Sequence, residues 1–212
     1  MHVVITDGSI SKYINQPKPL VIGDVQYPAR IFSVWTASEL AAIGIIEVTF
    51  DDSNKKDTKW YINTNQTFTY DADAGTVTAA YGTATARAHA DTTWSQADSD
   101  NGDLPGDKSV GDVKVEGLKT VLIKNVKAQA KGLLNQSDWY ITRKAEKNIA
   151  IPSAITTWRD GIRTKQAAME TSITNASNTP ALETLYTYVN TADEGEPVVM
   201  ARPLGEFPEL GS

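Results

Sequence analysis

The amino-acid sequence predicts an α+β fold: a small antiparallel β-sheet domain with one short helix, followed by a helical-hairpin domain and an extended C-terminal arm. Three observations predict it. Residues 1 to about 90 alternate β-branched or aromatic residues with polar ones, between turns rich in Asp and Gly. Residues 115–192 carry apolar positions at helical spacing. Between them, residues 91–114 shift to Ala, Thr, Asp and Gly without apolar periodicity, which reads as a linker or long loop because little burial is on offer to offset its ordering entropy. Residues 193–212, with Pro197, Pro203 and Pro208, suit neither a regular helix nor a central strand and read as the extended arm.

In the first segment, Val3-Val4-Ile5 and Lys12-Tyr13-Ile14 flank Asp7-Gly8, a dipeptide that favours hairpin turns because its glycine tolerates positive φ. Thr36 and Glu39 have capping-box spacing and Gly44 suits a left-handed C-terminus, so a helix of little more than two turns is expected between them. Ile45–Phe50, Trp60–Ile62, Thr67–Tyr70 and Thr76–Tyr81 read as strands, the last two joined by a turn at Asp73-Ala74-Gly75. Trp94, alone in the polar stretch, is expected to clip onto a neighbouring surface.

In the helical segment, Leu118, Val121, Leu122, Val126, Gln129 or Ala130, and Leu133 line one stripe, with Lys119, Lys124, Lys127 and Lys131 in solvent. A second helix is expected from Pro152, with Ile155, Trp158, Ile162, Met169 and Ile173 on one face. Joined through Ser137–Ile151, the two form an antiparallel hairpin with Trp139 and Trp158 near its closed end. Pro180 opens a further short helix containing Leu182, Leu185, Tyr186 and Val189.

Composition narrows the function. With 41% hydrophobic residues, 212 residues suffice for an ordinary core. No run approaches the roughly 18 apolar residues of a membrane helix, so no membrane insertion is expected, and the N-terminus lacks the basic and apolar regions of a signal peptide. There is no cysteine, which removes disulfides, thiolate metal sites and cysteine nucleophiles. A net charge of −6 argues against a phosphate-tracking surface, so no nucleic-acid partner is expected.

The chemical motifs are incomplete. His2 and His89, the only histidines, have no second ligand at metal spacing. Asp98-Ser99-Asp100-Asn101-Gly102-Asp103 departs from a calcium loop, because the glycine is one place early and Ser109 stands where the terminal glutamate belongs. A phosphate loop needs glycine directly before Lys108, where Asp107 stands instead. No Gly-x-Ser-x-Gly elbow is present. The sequence therefore predicts no catalytic residues, no metal and no cofactor, and a protein that is not an enzyme.

What remains is an unusual set of tryptophans and arginines. Arg143, Arg159 and Arg163 lie near Asp138, Glu146 and Asp160, so ion pairs can fix the hairpin and an arginine can stack on Trp139 or Trp158. The same residue types make binding hot spots, so an interface with another protein stands beside the internal role.

Leu133-Leu134, Asp138-Trp139-Tyr140, Arg143, Pro152, Arg159 and Arg163 together resemble a segment widespread in bacteriophage tail-fibre assembly and tail-associated structural proteins. The N-terminal half is similar to modules of phage tail proteins through Tyr27-Pro28, Trp35, Glu39-Leu40, Ile43-Gly44-Ile45, Tyr61 and Tyr70. Where the family often has a glycine before the proline, Lys147-Asn148 stands here, with asparagine able to take the left-handed conformation.

The resemblance implies a virion structural protein of the tail, a fibre or baseplate adaptor assembled in the host cytoplasm, whose partners are other tail or fibre subunits in a multimeric assembly. An assembly chaperone for the fibres is the alternative. A carbohydrate-binding module using Trp60, Tyr61, Tyr70 and Tyr81 is the third reading. Asp138, Trp139, Tyr140, Arg143, Trp158, Arg159 and Arg163 are then the expected interface or structural motif, with Tyr27, Trp35 and Trp60 as N-terminal interface candidates.

Overall fold

The computed structural model describes residues 1–210 and has an α+β fold in two compact units, Met1–Thr85 and Ala86–Ser212. In chain order the first unit holds β1 (His2–Thr6), β2 (Ser9–Ile14), β3 (Leu20–Ile22), β4 (Val25–Tyr27), α1 (Ile31–Val34), α2 (Ala37–Ala42), β5 (Ile45–Asp51), β6 (Tyr61–Ile62), β7 (Thr67–Asp71) and β8 (Thr76–Ala80).

Asp7 and Gly8 turn the β1–β2 hairpin with positive φ at both residues, the twist that lets two antiparallel strands continue without splaying. A five-stranded sheet follows in the order β2-β1-β5-β8-β7. It is mixed rather than wholly antiparallel, because Val48–Asp51 of β5 run parallel to Val77–Ala80 of β8. Parallel neighbours need a crossover, and the chain between β5 and β8 supplies it.

Both faces of the sheet are used. Val4, Ile14 and Ile45 pack with Leu20, Ile31 and Leu40 on one side, while Val3, Val48, Val77 and Ala79 form a second cluster on the other. The alternation of Val3 and Val4, and of Ile45 and Ile46, follows from the two-residue period of a strand. Tyr13 on β2 meets Phe68 on β7 edge to face at 5.0 Å, so the sheet curls until side chains of its two edge strands touch.

Helix α2 has the expected cap: Thr36 Oγ1 accepts the Glu39 N–H, and Glu39 Oε2 accepts the Thr36 N–H at 2.7 Å. Gly44 ends it with φ +79°, and its carbonyl accepts the Ile5 N–H at 2.7 Å. A Cβ there would lie 2.8 Å from the Ile5 carbonyl oxygen, so the position is closed to other residues both by conformation and by space. One extra turn of helix, α1, precedes it and buries Ile31.

After β9 (Thr85–Ala86), the second unit holds β10 (Thr92–Thr93), α3 (Gln96–Asp100), β11 (Val113–Val115), α4 (Leu118–Asn135), α5 (Asp138–Lys147), α6 (Ser153–Asn175), α7 (Thr179–Tyr186), β12 (Val189–Asn190) and β13 (Met200–Ala201). The stretch 91–114 is folded, which its composition did not indicate. β10 and β11 pair antiparallel, Ser95 and Asp98 cap α3 reciprocally, and Trp94 exchanges backbone hydrogen bonds with Asp112 and Gly111. Lys114 Nζ pairs with Asp98 at 2.5 Å and lies 4.4 Å from the centre of the Trp94 ring. Local hydrogen bonds order this segment in place of apolar burial, and such bonds leave no periodic trace in a sequence.

Helices α4 and α6 pack antiparallel: Lys119 Nζ donates to the Thr174 carbonyl at 2.7 Å, and Lys127 pairs with Glu170 at 3.4 Å. Ile155, Trp158, Ile162, Met169 and Ile173 are all buried, as the spacing predicts. Gly117 begins α4 without a capping side chain, and Asp91 substitutes from a distance. Its carboxylate accepts the Gly117 N–H at 2.7 Å and the Thr120 hydroxyl at 2.8 Å, while the Ala88 and His89 carbonyls take the next two N–H groups.

The C-terminal arm does not extend freely. Val189 belongs not to the helix opened by Pro180, which ends at Tyr186, but to β12, which forms a hairpin with β13; Leu204 is buried, and Phe207 packs against Ala130, Trp158 and Ile162. Arg202 makes a double contact with Glu206 beneath Tyr188, whose hydroxyl donates to Glu206. Partial burial raises the Glu206 carboxyl, but these hydrogen bonds outweigh it and hold the group below its ordinary range. Residues 211 and 212 of the expected arm lie outside the described residues.

Candidate functional site

The connection between α4 and α6 contains the helix α5, and this insertion separates the expected motif into an inward part and an outward part. α5 starts with Asp138 in its first turn and ends on Asn148, which is left-handed at φ 53° and donates its N–H to the Lys144 carbonyl at 2.9 Å. Lys144 and Lys147 occupy its last turn, where the helix dipole favours cations.

The inward part is Trp158 and Arg159. Trp158 is 6% exposed, packs with Ala130 and Ile162, and donates its indole N–H to the Pro208 carbonyl at 2.9 Å. Gly161 leaves room for the arm, since a Cβ there would stand 3.3 Å from Pro208 Cγ. Arg159, 7% exposed, reaches the Leu134 carbonyl at 2.8 Å, Ser137 Oγ at 2.6 Å and Asp138 Oδ1 at 2.9 Å. One guanidinium thereby ties the end of α4 to the start of α5, and its charge is fully engaged within the chain.

The outward part is Trp139, Tyr140 and Arg143. No residue of α5 is buried. Trp139 is 51% exposed and lies against Tyr140 with ring centroids 3.7 Å apart. Arg143, three and four residues on, places its guanidinium 4.8 Å and 5.2 Å from the two ring centroids. The rings shield Arg143 Nε from water, yet that atom has no acceptor among the described residues. A polar N–H screened from solvent and left unpaired is costly, and the stacking of the guanidinium on the two rings offsets part of that cost. Arg163 makes only an exposed pair with Asp160 at 2.9 Å, of the kind worth little.

The N-terminal candidates fall differently. Tyr27 and Trp35 are half-buried, meet edge to face at 5.9 Å and pack against the cluster around Val4 and Ile45. Trp60 is 3% exposed, so its ring is closed to a partner in this conformation, which corrects its expected place at an interface. The rings of the carbohydrate reading, Trp60, Tyr61, Tyr70 and Tyr81, are likewise buried or half-buried. Tyr70 belongs to the cluster around Val77, because its alternation with threonine turns it toward the sheet's covered face.

Sequence reasoning missed Asp91, Ser137 and Pro208. Gly117 before a helical stripe was a usable signal for Asp91, since a glycine cap leaves orphan N–H groups for another residue to satisfy. Among the described residues no three His, Asp or Glu side chains gather as a metal site, and no helix is long and apolar enough to cross a membrane. Comparison with family models, with curated proteins and with solved structures returns no match.

Proposed function

We propose that the chain is a structural protein of a bacteriophage tail, an adaptor at the fibre or baseplate that acts through protein–protein contacts, with the outward face of α5 as one of them. The resemblance of the Asp138-Trp139-Tyr140 to Arg163 segment supplies the phage context. The observation that carries the interface reading is the half-exposed Trp139, stacked with Tyr140 and Arg143 on a helix that buries no residue of its own. Large aromatics and arginines held in a fixed arrangement at the surface are what protein interfaces select.

Quantitative mass spectrometry of purified particles tests the proposal. Presence in fixed ratio to known tail subunits is the expected result. Absence from particles, with abundant protein in the infected lysate, would replace the structural role with the assembly-chaperone alternative.

A further inference from the structure

The second unit carries two exposed surfaces of opposite charge. The outward face of α5 presents Arg143 and Lys147 beside Trp139, with Lys144 further round the helix and Glu146 as the one acid next to them. The β12–β13 hairpin presents Asp193, Glu194 and Glu196 at its tip beside exposed Val198, Val199 and Met200, with Val198 69% exposed. Among the described residues none of these seven charged side chains has a salt-bridge partner.

The hairpin is built rather than loose. Asn190 Oδ1 accepts the Val199 N–H at 3.0 Å and the Ala192 N–H at 3.1 Å, and Thr191 donates its N–H to the Val199 carbonyl at 2.8 Å. Gly195, at φ 90°, turns the tip. An ordered strand pair that shows water four large apolar side chains, Val189 included, has a surface to cover.

Taking α5 as the interface proposed above, we infer that its occupant is the acidic hairpin of a second copy of this chain. The carboxylates of Asp193, Glu194 and Glu196 meet the charged heads of Arg143, Lys144 and Lys147, while Val198 and Val199 cover Trp139. Charge fixes the pairing and the apolar contact contributes most of the affinity. Each copy donates a hairpin and receives one. The exchange is either reciprocal, giving a two-fold dimer, or successive, building a ring if the rotation closes and an open stack if it does not.

Sedimentation analysis of the purified full chain tests this. The parent is expected to gain mass with concentration and to dissociate as salt rises from about 50 mM to about 500 mM, where screening shortens the reach of the charges. Two charge-reversed variants sharpen it: Arg143→Glu/Lys144→Glu/Lys147→Glu on α5, and Asp193→Lys/Glu194→Lys/Glu196→Lys on the hairpin.

Each variant alone is expected to associate at least about tenfold more weakly, since like charges then face each other. Their equimolar mixture is expected to regain the parent's association, because each then offers the other a complementary surface. Far-UV circular dichroism checks that both variants fold, and the salt series needs no variant at all. A parent that stays monomeric at every soluble concentration, an association indifferent to salt, or a mixture no stronger than its parts would overturn the inference. A monomeric parent found in particles at fixed ratio would remove self-association and leave the tail reading standing; self-association of a chain absent from particles would do the reverse.

Discussion

Trp158 and Arg159 lie inside the helical unit, whereas Trp139 and Arg143, on the helix just before them, stand on its surface. The residue types are the same, and the surroundings decide their roles. Arg159 has a carbonyl, a hydroxyl and a carboxylate within reach, and Trp158 has a carbonyl for its indole N–H. Arg143 has two aromatic faces and, among the described residues, no acceptor for its Nε. The first pair holds two helices and the arm together. The second is half-exposed and stacked at the surface, which supports its proposed role as a contact surface.

Substitutions separate the two. Trp158→Ala is expected to have the largest effect, a loss of about 3 to 5 kcal/mol of stability in urea unfolding, because it empties a packed site and strands the Pro208 carbonyl. Arg159→Ala should follow at about 1.5 to 3 kcal/mol, since it removes hydrogen bonds from a charged donor while half-exposed Asp138 regains water. Trp139→Ala, by contrast, should stay within about 0.5 kcal/mol of the parent in the same assay, as surface changes do. A Trp139→Ala cost as large as that of Trp158→Ala would erase the distinction between inward and outward parts.

Asp91 gives a smaller, pH-dependent effect on the inward side. The Gly117 N–H first, and then the Thr120 hydroxyl, hold its carboxyl below the ordinary aspartate value of 3.8. Asp98 is depressed in the same direction by Lys114 and then by Ser95. A carboxylate depressed on folding stabilises the folded state fully above its unfolded pKa, and that contribution is lost as pH falls through the folded value. Asp91→Asn should therefore be less stable than the parent near neutrality, with the gap closing below the ordinary aspartate range. Unfolding midpoints measured from about pH 2.5 to pH 7 will show this, and a gap constant across that window would deny the cap its charge.

Much of this was legible in the sequence because it rests on local rules. Asp7-Gly8, the Thr36–Glu39 box, Gly44 and the apolar stripe of α6 each state their structure through backbone conformation or periodicity. The parallel pairing of β5 with β8 was not legible, since strand order depends on contacts distant in sequence. Nor was the return of Phe207 and Pro208 onto Trp158, where proline content suggested an extended arm. At the candidate site, the sequence named the residues of the motif but not their division into inward and outward parts. Which arginine turns inward depends on α5 forming between Ser137 and Asn148, and on Ser137 being buried beneath Arg159.

The most direct test of the account is oxidative footprinting of the tryptophans in the free protein and in purified particles. Trp158 is expected to resist oxidation in both, and Trp139 to react readily in the dilute, high-salt monomer and to be protected in the particle. Equal reactivity of Trp139 in the two states would contradict the claim that the outward face of α5 is a contact surface of the assembled tail.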